Sequence, residues 1–487
     1  MCNIAIAPKG RGVYNNKNVR NTTFNDGVDT MLRKDVNMLS GSITKGLLAI
    51  SIPVMIMNVV QSLFNIIDMT ILKSFDTGGG IAVGAVGVCS TLISLITGLV
   101  IGISTGANVV IAKNIGRQNQ EGVDRAIGSA MAFSITAGIA LAIIGVGGAE
   151  LFLRWTNCPD KLLSQATLYF QLYFAGVPIL MVYNFCASIL RSSGDSQRPM
   201  VFLTIGGLVK VGLTFLFIAK WNMGVVGVAL ATIISWGISA FLGLWALLRN
   251  KGVVKLRLRN IRFYKKEAAQ MLYIGVPSGL QQALYSVANV IITATVNSFG
   301  PEATTGISIA NNYDGILYQI STATALAVMP YVSQNIGAKN VKRALQSVWK
   351  GILITVCLGA SFGALSALFS YQLSSIMSSD PIVIGYSQQK MVIISSTYFI
   401  CGINEIFGAA LRGMGKPIPA TVATLIFMCA IRFVWVYLIF PLVPNLTFLY
   451  LIWPIGWVLS ISFLLFVFFP TVKKLTKAAA NPELPAA

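Results

Sequence analysis

The sequence contains no histidine in 487 residues, and charged side chains make up only 11% of it. The first absence removes the commonest general base and the commonest transition-metal ligand. The second removes the polar coat of a soluble globule, where about a quarter of the residues are charged. Cysteine is scarce as well, seven residues with no CxxC spacing, so neither a disulfide framework nor a zinc site is indicated. Cys89, Cys186, Cys357, Cys401 and Cys429 fall in apolar segments, where a thiol serves as a small packer. No GK[ST] phosphate loop occurs, which leaves direct ATP drive unsupported. No carboxylate cluster has metal spacing, no nucleophile motif is present, and no repeated filter or ring of charge suggests a channel. The expectation is therefore not an enzyme, with no metal and no cofactor.

What is present is apolar helix. Hydrophobic residues reach 55% and the mean hydropathy is +0.73, so lipid must surround the chain. Runs long enough to cross roughly 30 Å of hydrocarbon recur over 48–72, 81–110, 127–148, 164–189, 201–219 and 224–248, then 271–296, 304–332, 347–368, 386–410, 418–441 and 446–470. The fold class expected is an all-α polytopic membrane protein with about twelve spans. The second, fourth, eighth and tenth runs exceed a single crossing and are expected to tilt or project.

The chain also repeats itself. Residues 52–75 align without a gap on 276–299, matching Pro53 with Pro277, Ser62 with Ser286, Asn65 with Asn289 and Phe75 with Phe299. AKNIGRQN (112–119) then matches SQNIGAKN (333–340), and LRSSG (190–194) matches LRGMG (411–415), in the same order and at nearly the same offset. Tandem halves in an apolar chain point to a secondary transporter whose site lies between the repeats. The divisions expected are a disordered basic extension over 1–46, an N-lobe over 47–248, a basic linker over 249–268, a C-lobe over 269–472 and a tail over 473–487.

The net charge of +20 could signal nucleic acid, but no folded basic domain exists to hold a duplex. The basic residues instead occupy the N-terminal segment and alternate connections: Lys113, Arg117 and Arg125; Arg191 and Arg198; the stretch 249–266; Lys339, Lys342, Arg343 and Lys350; Arg412 and Lys416; then Lys473, Lys474 and Lys477. By the positive-inside rule these connections and both termini face the cytoplasm, across the cell membrane. The partners expected are a small-molecule substrate and the lipid bilayer, with the chain a monomer and no nucleic acid involved. The linker, with eight basic side chains in 249–266, reads as a topology determinant lying near anionic headgroups.

The order of several motifs resembles the multidrug and toxic compound extrusion (MATE) transporters: NIIDMTILKSF closing the first span, GAVGV at 84–88, NIGRQN with its partner NIGAKN, YNFCASILRSSGDSQRPM at 183–200, GVVGVALATIIS at 224–235, and CAIRFVWVYLIFPLV with YLIWPIGWVLS near the end. The resemblance covers 43–475. It implies two pseudo-symmetric six-helix bundles forming a V around a central cavity, with export driven by inward movement of H⁺ or Na⁺.

Asp68 is the sharpest candidate, because an intramembrane carboxylate is costly unless hydrated, paired or protonated; the plainer reading has it reaching headgroup water. In the family an acid at this motif position takes part in cation coupling. Members with an N-lobe sodium site resemble one another in having an Asn and, four residues later, an Asp on helix 5. Here those places hold Lys210 and Thr214, while the family's Thr on helix 6 is matched by Thr232. Sodium wants hard oxygen ligands and an ammonium offers none, so H⁺ is favoured over Na⁺ as coupling ion. Lys210 is expected to pair with Asp68 as a built-in cation; the plainer reading leaves it facing a wet cavity. Arg432, at nearly the repeat-equivalent place, is expected to balance Asp314 or Glu405. The counterpart of Asp68 in the second half is Ile292.

Candidate cavity residues are Asn58, Gln61, Asn65, Tyr169, Asn184, Gln281, Gln282, Tyr285, Asn289, Asn312 and Tyr313, a lining suited to amphipathic molecules. Each taken singly fits interhelical hydrogen bonding equally well. The function expected is cation-coupled antiport of small, amphipathic, cationic organic compounds. The alternatives are a lipid-carrier flippase of the same superfamily and an exporter of anionic compounds.

Overall fold

A backbone in hydrocarbon must satisfy its own amides, and the computed structural model, which describes residues 36–75, 81–156 and 158–480, does so with helices and no strand among those residues. Twelve long helical rods follow one another: α1 (Ile43–Phe75), α2 (Ile81–Gly116), α3 (Gln120–Trp155), α4 (Asp160–Ser192), α5 (Gln197–Lys220), α6 (Gly224–Arg249), α7 (Lys265–Asn297), α8 (Pro301–Gly337), α9 (Val341–Leu368), α10 (Pro381–Gly413), α11 (Ile418–Leu442) and α12 (Leu446–Ala480). Eleven are long and apolar enough to cross a membrane among the described residues. The exception is α7, the repeat partner of α1, whose Gln281, Gln282 and Asn289 dilute its apolar surface. Exposed Ile143, Phe241, Leu353 and Phe466 mark faces turned toward lipid.

The two halves pack alike. In the first, α2 lies against α3 and α4, α4 against α3 and α6, and α5 against α1 and α6; in the second, α8 lies against α9 and α10, α10 against α9 and α12, and α11 against α7 and α12. The halves meet reciprocally, α2 along α7 and α8 along α1, with α2 against α8.

The repeated motifs have local structural meanings. In NIGRQN and NIGAKN, Gln118 and Lys339 adopt left-handed backbone (φ 56° and 57°), and the Asn after each caps the next helix: Asn119 Oδ1 accepts from Gly122 N and Asn340 Oδ1 from Arg343 N. In LRSSG and LRGMG the last glycine has φ +96° or +81°, and the next amide returns to the leucine carbonyl, Asp195 N to Leu190 O and Lys416 N to Leu411 O. That is a helix stop requiring the left-handed residue glycine tolerates.

Where the halves touch, backbone meets backbone. A Cβ on Gly102 would lie 2.2 Å from Gly279 Cα, and one on Gly106 would lie 2.1 Å from Met271 O. A Cβ on Gly116 would fall 1.9 Å from Gln334 O, and one on Gly337 2.2 Å from Lys113 O. The seam runs from these turns up to Gly98, whose Cβ would still meet Gln282, and stops before Gly87, which has nothing within 4 Å. The lobes therefore close at the end carrying Lys113, Arg117, Lys339 and Arg343, here called the basic end, and part toward the other.

Three boundaries differ from expectation, one of them the start of α7 at Lys265, inside the expected linker. Residues 36–42 form an ordered strap at the basic end, and α1 begins at Ile43, ahead of residue 47. Arg343 donates to the carbonyls of Met38, Ser40 and Gly41, Asn335 Nδ2 donates to Met38 O, and Met38 is buried. The tail lysines Lys473, Lys474 and Lys477 continue α12. The rest of the expected extension, 1–35, and residues 481–487 lie outside the described residues. The basic connection is laid onto α3: Arg257 pairs with Asp124 at 3.1 Å, Tyr264 N donates to Ser129 Oγ, and Leu256 N returns to Leu247 O.

Candidate functional site

Between the lobes lies a cavity of about 860 Å³, large enough for a drug-sized molecule. Its first-half wall includes Asn58, Gln61, Asn65 and Asp68 of α1, Tyr169 and Tyr173 of α4, Lys210 of α5, and Thr232 and Trp236 of α6. Its second-half wall includes Gln281 and Gln282 of α7, Tyr318 of α8, and Glu405 and Arg412 of α10. Amide and aromatic side chains occur on both walls, with four charged groups among them.

Asp68 is 4% exposed and fully engaged. Lys210 Nζ lies 2.5 Å from its Oδ2, and Thr214, one turn further along the same face of α5, donates its hydroxyl to Oδ1 at 3.0 Å. Lys210 Nζ also grazes Asn65 Oδ1 at 3.5 Å. The ammonium thus sits against the carboxylate in the place where the family resemblance put a metal ligand. Thr232 donates to Val228 O of its own helix instead.

The second half departs from expectation. Arg432 reaches neither Asp314 nor Glu405: its Nη1 donates to Asn289 Oδ1 at 2.7 Å, and its guanidinium lies 5.3 Å from the Tyr285 ring centre and 5.1 Å from that of Trp453. The acid Asp314 is paired by Lys390 of α10, 2.9 Å away, which also contacts Asn311 Oδ1 and the Trp453 ring. Two cations and one carboxylate leave this cluster at +1. Glu405 has no ion-pair or hydrogen-bond partner among the described residues, whereas Arg412 donates to Gln281 Oε1 at 2.9 Å. Lys390 was missed in the sequence although it is a charge inside an apolar run, which is signal enough to find it. Arg412 was assigned to a connection; its place in the last turn of α10 turns it into the cavity floor. Arg198, also assigned to a connection, is buried against Asp195.

Of the eleven expected cavity residues, the structure brings Asn58, Gln61, Asn65, Tyr169, Gln281 and Gln282 to the wall. Tyr285 and Asn289 turn toward Arg432. Asn184 and Asn312 donate to carbonyls of their own helices, Leu180 and Ser308, and Tyr313 donates to Leu373 O. These five act as interhelical and intrahelical fasteners, the alternative reading for polar side chains in a bundle.

Removing one partner of a buried pair costs far more than removing both. Lys390→Met is therefore expected to lower stability by about 3–5 kcal/mol, and adding Asp314→Leu should recover most of it. Thermal unfolding in detergent checks this; a single variant as stable as the wild type would show that the pair is solvated.

Comparison with known proteins agrees with this architecture. A family model, MatE, matches residues 53–216 and 277–438, one match per lobe. The probable multidrug resistance protein YpnP of Bacillus subtilis is 26% identical over 400 residues, 82% of this chain and 89% of that protein. An FAD transporter of Shewanella oneidensis is 22% identical over 392 residues, 80% of this chain and 86% of its own. A solved structure of the outward-facing conformation of a multidrug resistance MATE family transporter superposes with a TM-score of 0.84 at 21% identity, covering 91% of this chain and 99% of that one.

Proposed function

Because this chain belongs to the MatE family of membrane transporters, we propose that it exports small amphipathic organic cations in exchange for protons, with Asp68 as the group that carries the proton. The observation that supports this most directly is the Asp68–Lys210 pair on the cavity wall. A lysine already supplies the counter-charge that a bound sodium would supply, and it offers no lone pair to a metal. The Arg432 cluster, at +1, is equally inhospitable to a second cation.

The charge arithmetic gives the coupling. The wall carries Asp68 and Glu405 against Lys210 and Arg412, a balance of zero. Protonating Asp68 leaves +1. A unit charge at roughly 8 Å in an effective dielectric of about 20 is worth about 2 kcal/mol, or some 30-fold in the affinity of a bound cation. A proton arriving from outside thus weakens the grip on a cationic substrate while the cavity faces that side. We place the basic end in the cytoplasm, in keeping with the positive-inside rule; the state described here, closed at that end, is then the outward-facing one, in the plasma membrane.

A second reading, export of an organic anion, is favoured by Arg412, which has no carboxylate at ion-pair distance among the described residues. Proteoliposomes given separate pH and Na⁺ gradients test both readings. Efflux of a fluorescent cationic dye is expected under the pH gradient and not under the Na⁺ gradient. Sodium-driven efflux would overturn the coupling assignment, and transport restricted to an anionic dye would favour the second reading.

A further inference from the structure

The two lobes present the same contact in two different states. Asn65 and Asn289 are repeat partners, and Lys210 and Arg432 occupy nearly equivalent places on α5 and α11. In each lobe the cation faces the asparagine: Lys210 Nζ to Asn65 Oδ1 at 3.5 Å, Arg432 Nη1 to Asn289 Oδ1 at 2.7 Å. The difference is one turn along the first helix of each lobe, where Asp68 stands in one and Ile292 in the other. With no carboxylate to compete, Arg432 rests fully on its asparagine. With Asp68 ionised, Lys210 sits 2.5 Å from the carboxylate and only grazes the amide.

A protonated Asp68 resembles Ile292 in lacking charge. Resting on the proton-coupled reading above, we infer that Asn65 is the second seat of Lys210: when Asp68 takes up a proton, the ammonium moves onto Asn65 Oδ1, as Arg432 sits on Asn289. Asn65 is then a positioning residue that sets how readily Asp68 is protonated, because it stabilises the cation that protonation strands. Arg432–Asn289 is the fixed copy of this seat, held by Tyr285 and Trp453 and lacking a carboxylate neighbour on α7, where Ile292 stands in place of Asp68.

Few other charges act on Asp68. From α5 it meets Lys210, with Lys220 at that helix's far end; α4 contributes Tyr169; Glu405 and Arg412 of α10 stand on the opposite cavity wall. On α2 and α6 the charged residues are Lys113 and Arg249, in their last turns at the basic end, and Cys89 of α2 is buried. Tyr173 of α4 and Tyr318 of α8 are also on the cavity wall, whereas the acids Glu302 and Asp314 of α8 are absent from it, as are Lys342, Arg343 and Lys350 of α9. On α1 itself lie Lys45 and Lys73, near its two ends.

The test is the pH dependence of dye efflux in proteoliposomes for Asn65→Leu, Asn65→Gln, Asn289→Leu and Asp68→Asn. Asn65→Leu exchanges one neutral side chain for another, so long-range electrostatics predicts no change. Loss of a hydrogen bond to a charged group predicts a half-maximal pH displaced by about one unit to the acid side. Asn65→Gln, which keeps the amide acceptor, should return the profile toward the wild type, and Asn289→Leu should leave it in place. An Asn65→Leu profile superimposable on the wild type, or an equal displacement in Asn289→Leu, would overturn the inference while leaving the export reading intact. Failure of Asp68→Asn to abolish the pH response would instead overturn the proton-coupled reading itself.

Discussion

Asp68→Asn is expected to reduce pH-driven export of a cationic dye at least 30-fold, toward the rate of protein-free vesicles. The substitution preserves shape and removes the titratable charge. It leaves Lys210, whose side chain is 14% exposed, without the anion 2.5 Å away, so position 68 can no longer switch the cavity wall between zero and +1. By the same dielectric estimate, a cation then binds about 2 kcal/mol more weakly, and the protein loses the alternation between two charge states that couples the fluxes. Thr214 can still hydrogen-bond an amide at position 68, so the fold should survive; thermal unfolding in detergent separates a lost function from a lost structure. Dye binding at equilibrium should show the weakened affinity directly. If the variant exports as fast as the wild type and keeps its pH dependence, Asp68 is a structural ion-pair member and the proton enters elsewhere.

The second large effect is expected at the seam. Gly102→Ala adds one methyl group where Gly279 Cα, Gly279 N and Ser278 C stand at 2.2, 2.3 and 2.7 Å. All three atoms are backbone, so no rotamer change relieves the clash, and α2 and α7 must separate by more than an ångström to reach ordinary contact. Overpacking of this kind costs typically about 1–3 kcal/mol, comparable with the few kcal/mol that divide the conformations of a transporter. The equilibrium should therefore shift toward a state open at the basic end, with transport lowered at least tenfold. Spin labels at Gln118 and Lys339, in the equivalent turns of the two lobes, should report a longer and broader distance. Gly147→Ala on α3, with nothing within 4 Å of its Cβ and outside the cavity wall, is the control that should change neither distance nor rate. An unaltered distance in Gly102→Ala would mean that the seam is looser than it stands here.

The contrast between the lobes shows what a sequence of this kind reveals. Lipid restricts the options so severely that spans, repeat and pseudo-symmetry are legible from apolar runs and a handful of matched residues. The same scarcity made Asp68 and Lys210 conspicuous, since two lone charges in adjoining apolar helices have few other partners. In the second half the choice lay between Asp314 and Glu405 as partner of Arg432, with Lys390 overlooked, and depth and helix rotation decided against both. Two π-helical stretches of α11, at Thr424–Ala430 and Trp435–Ile439, flank the single α-helical turn holding Arg432. Such widened turns rotate the following side chains away from a 3.6-residue period, so periodicity could not show that Arg432 would meet Asn289. Tyr285 and Asn289 lie on the face of α7 that meets Arg432, a rotation the sequence did not reveal. Glycines 98, 102 and 106 recur every four residues along α2, yet nothing in that spacing names α7 as the partner.

The connection between the lobes carries a mechanical implication. Because Arg257, Leu256 and Tyr264 tie residues 250–264 to α3 and α6, the chain between the halves is not a slack tether but an arm rigid with the first lobe. Its end, at the peptide joining Tyr264 to Lys265, is then the fulcrum for α7. Lobe motion about a fixed fulcrum is a swing, not a slide, and the largest excursions of α7 fall at its far end, beside the mouth of the cavity.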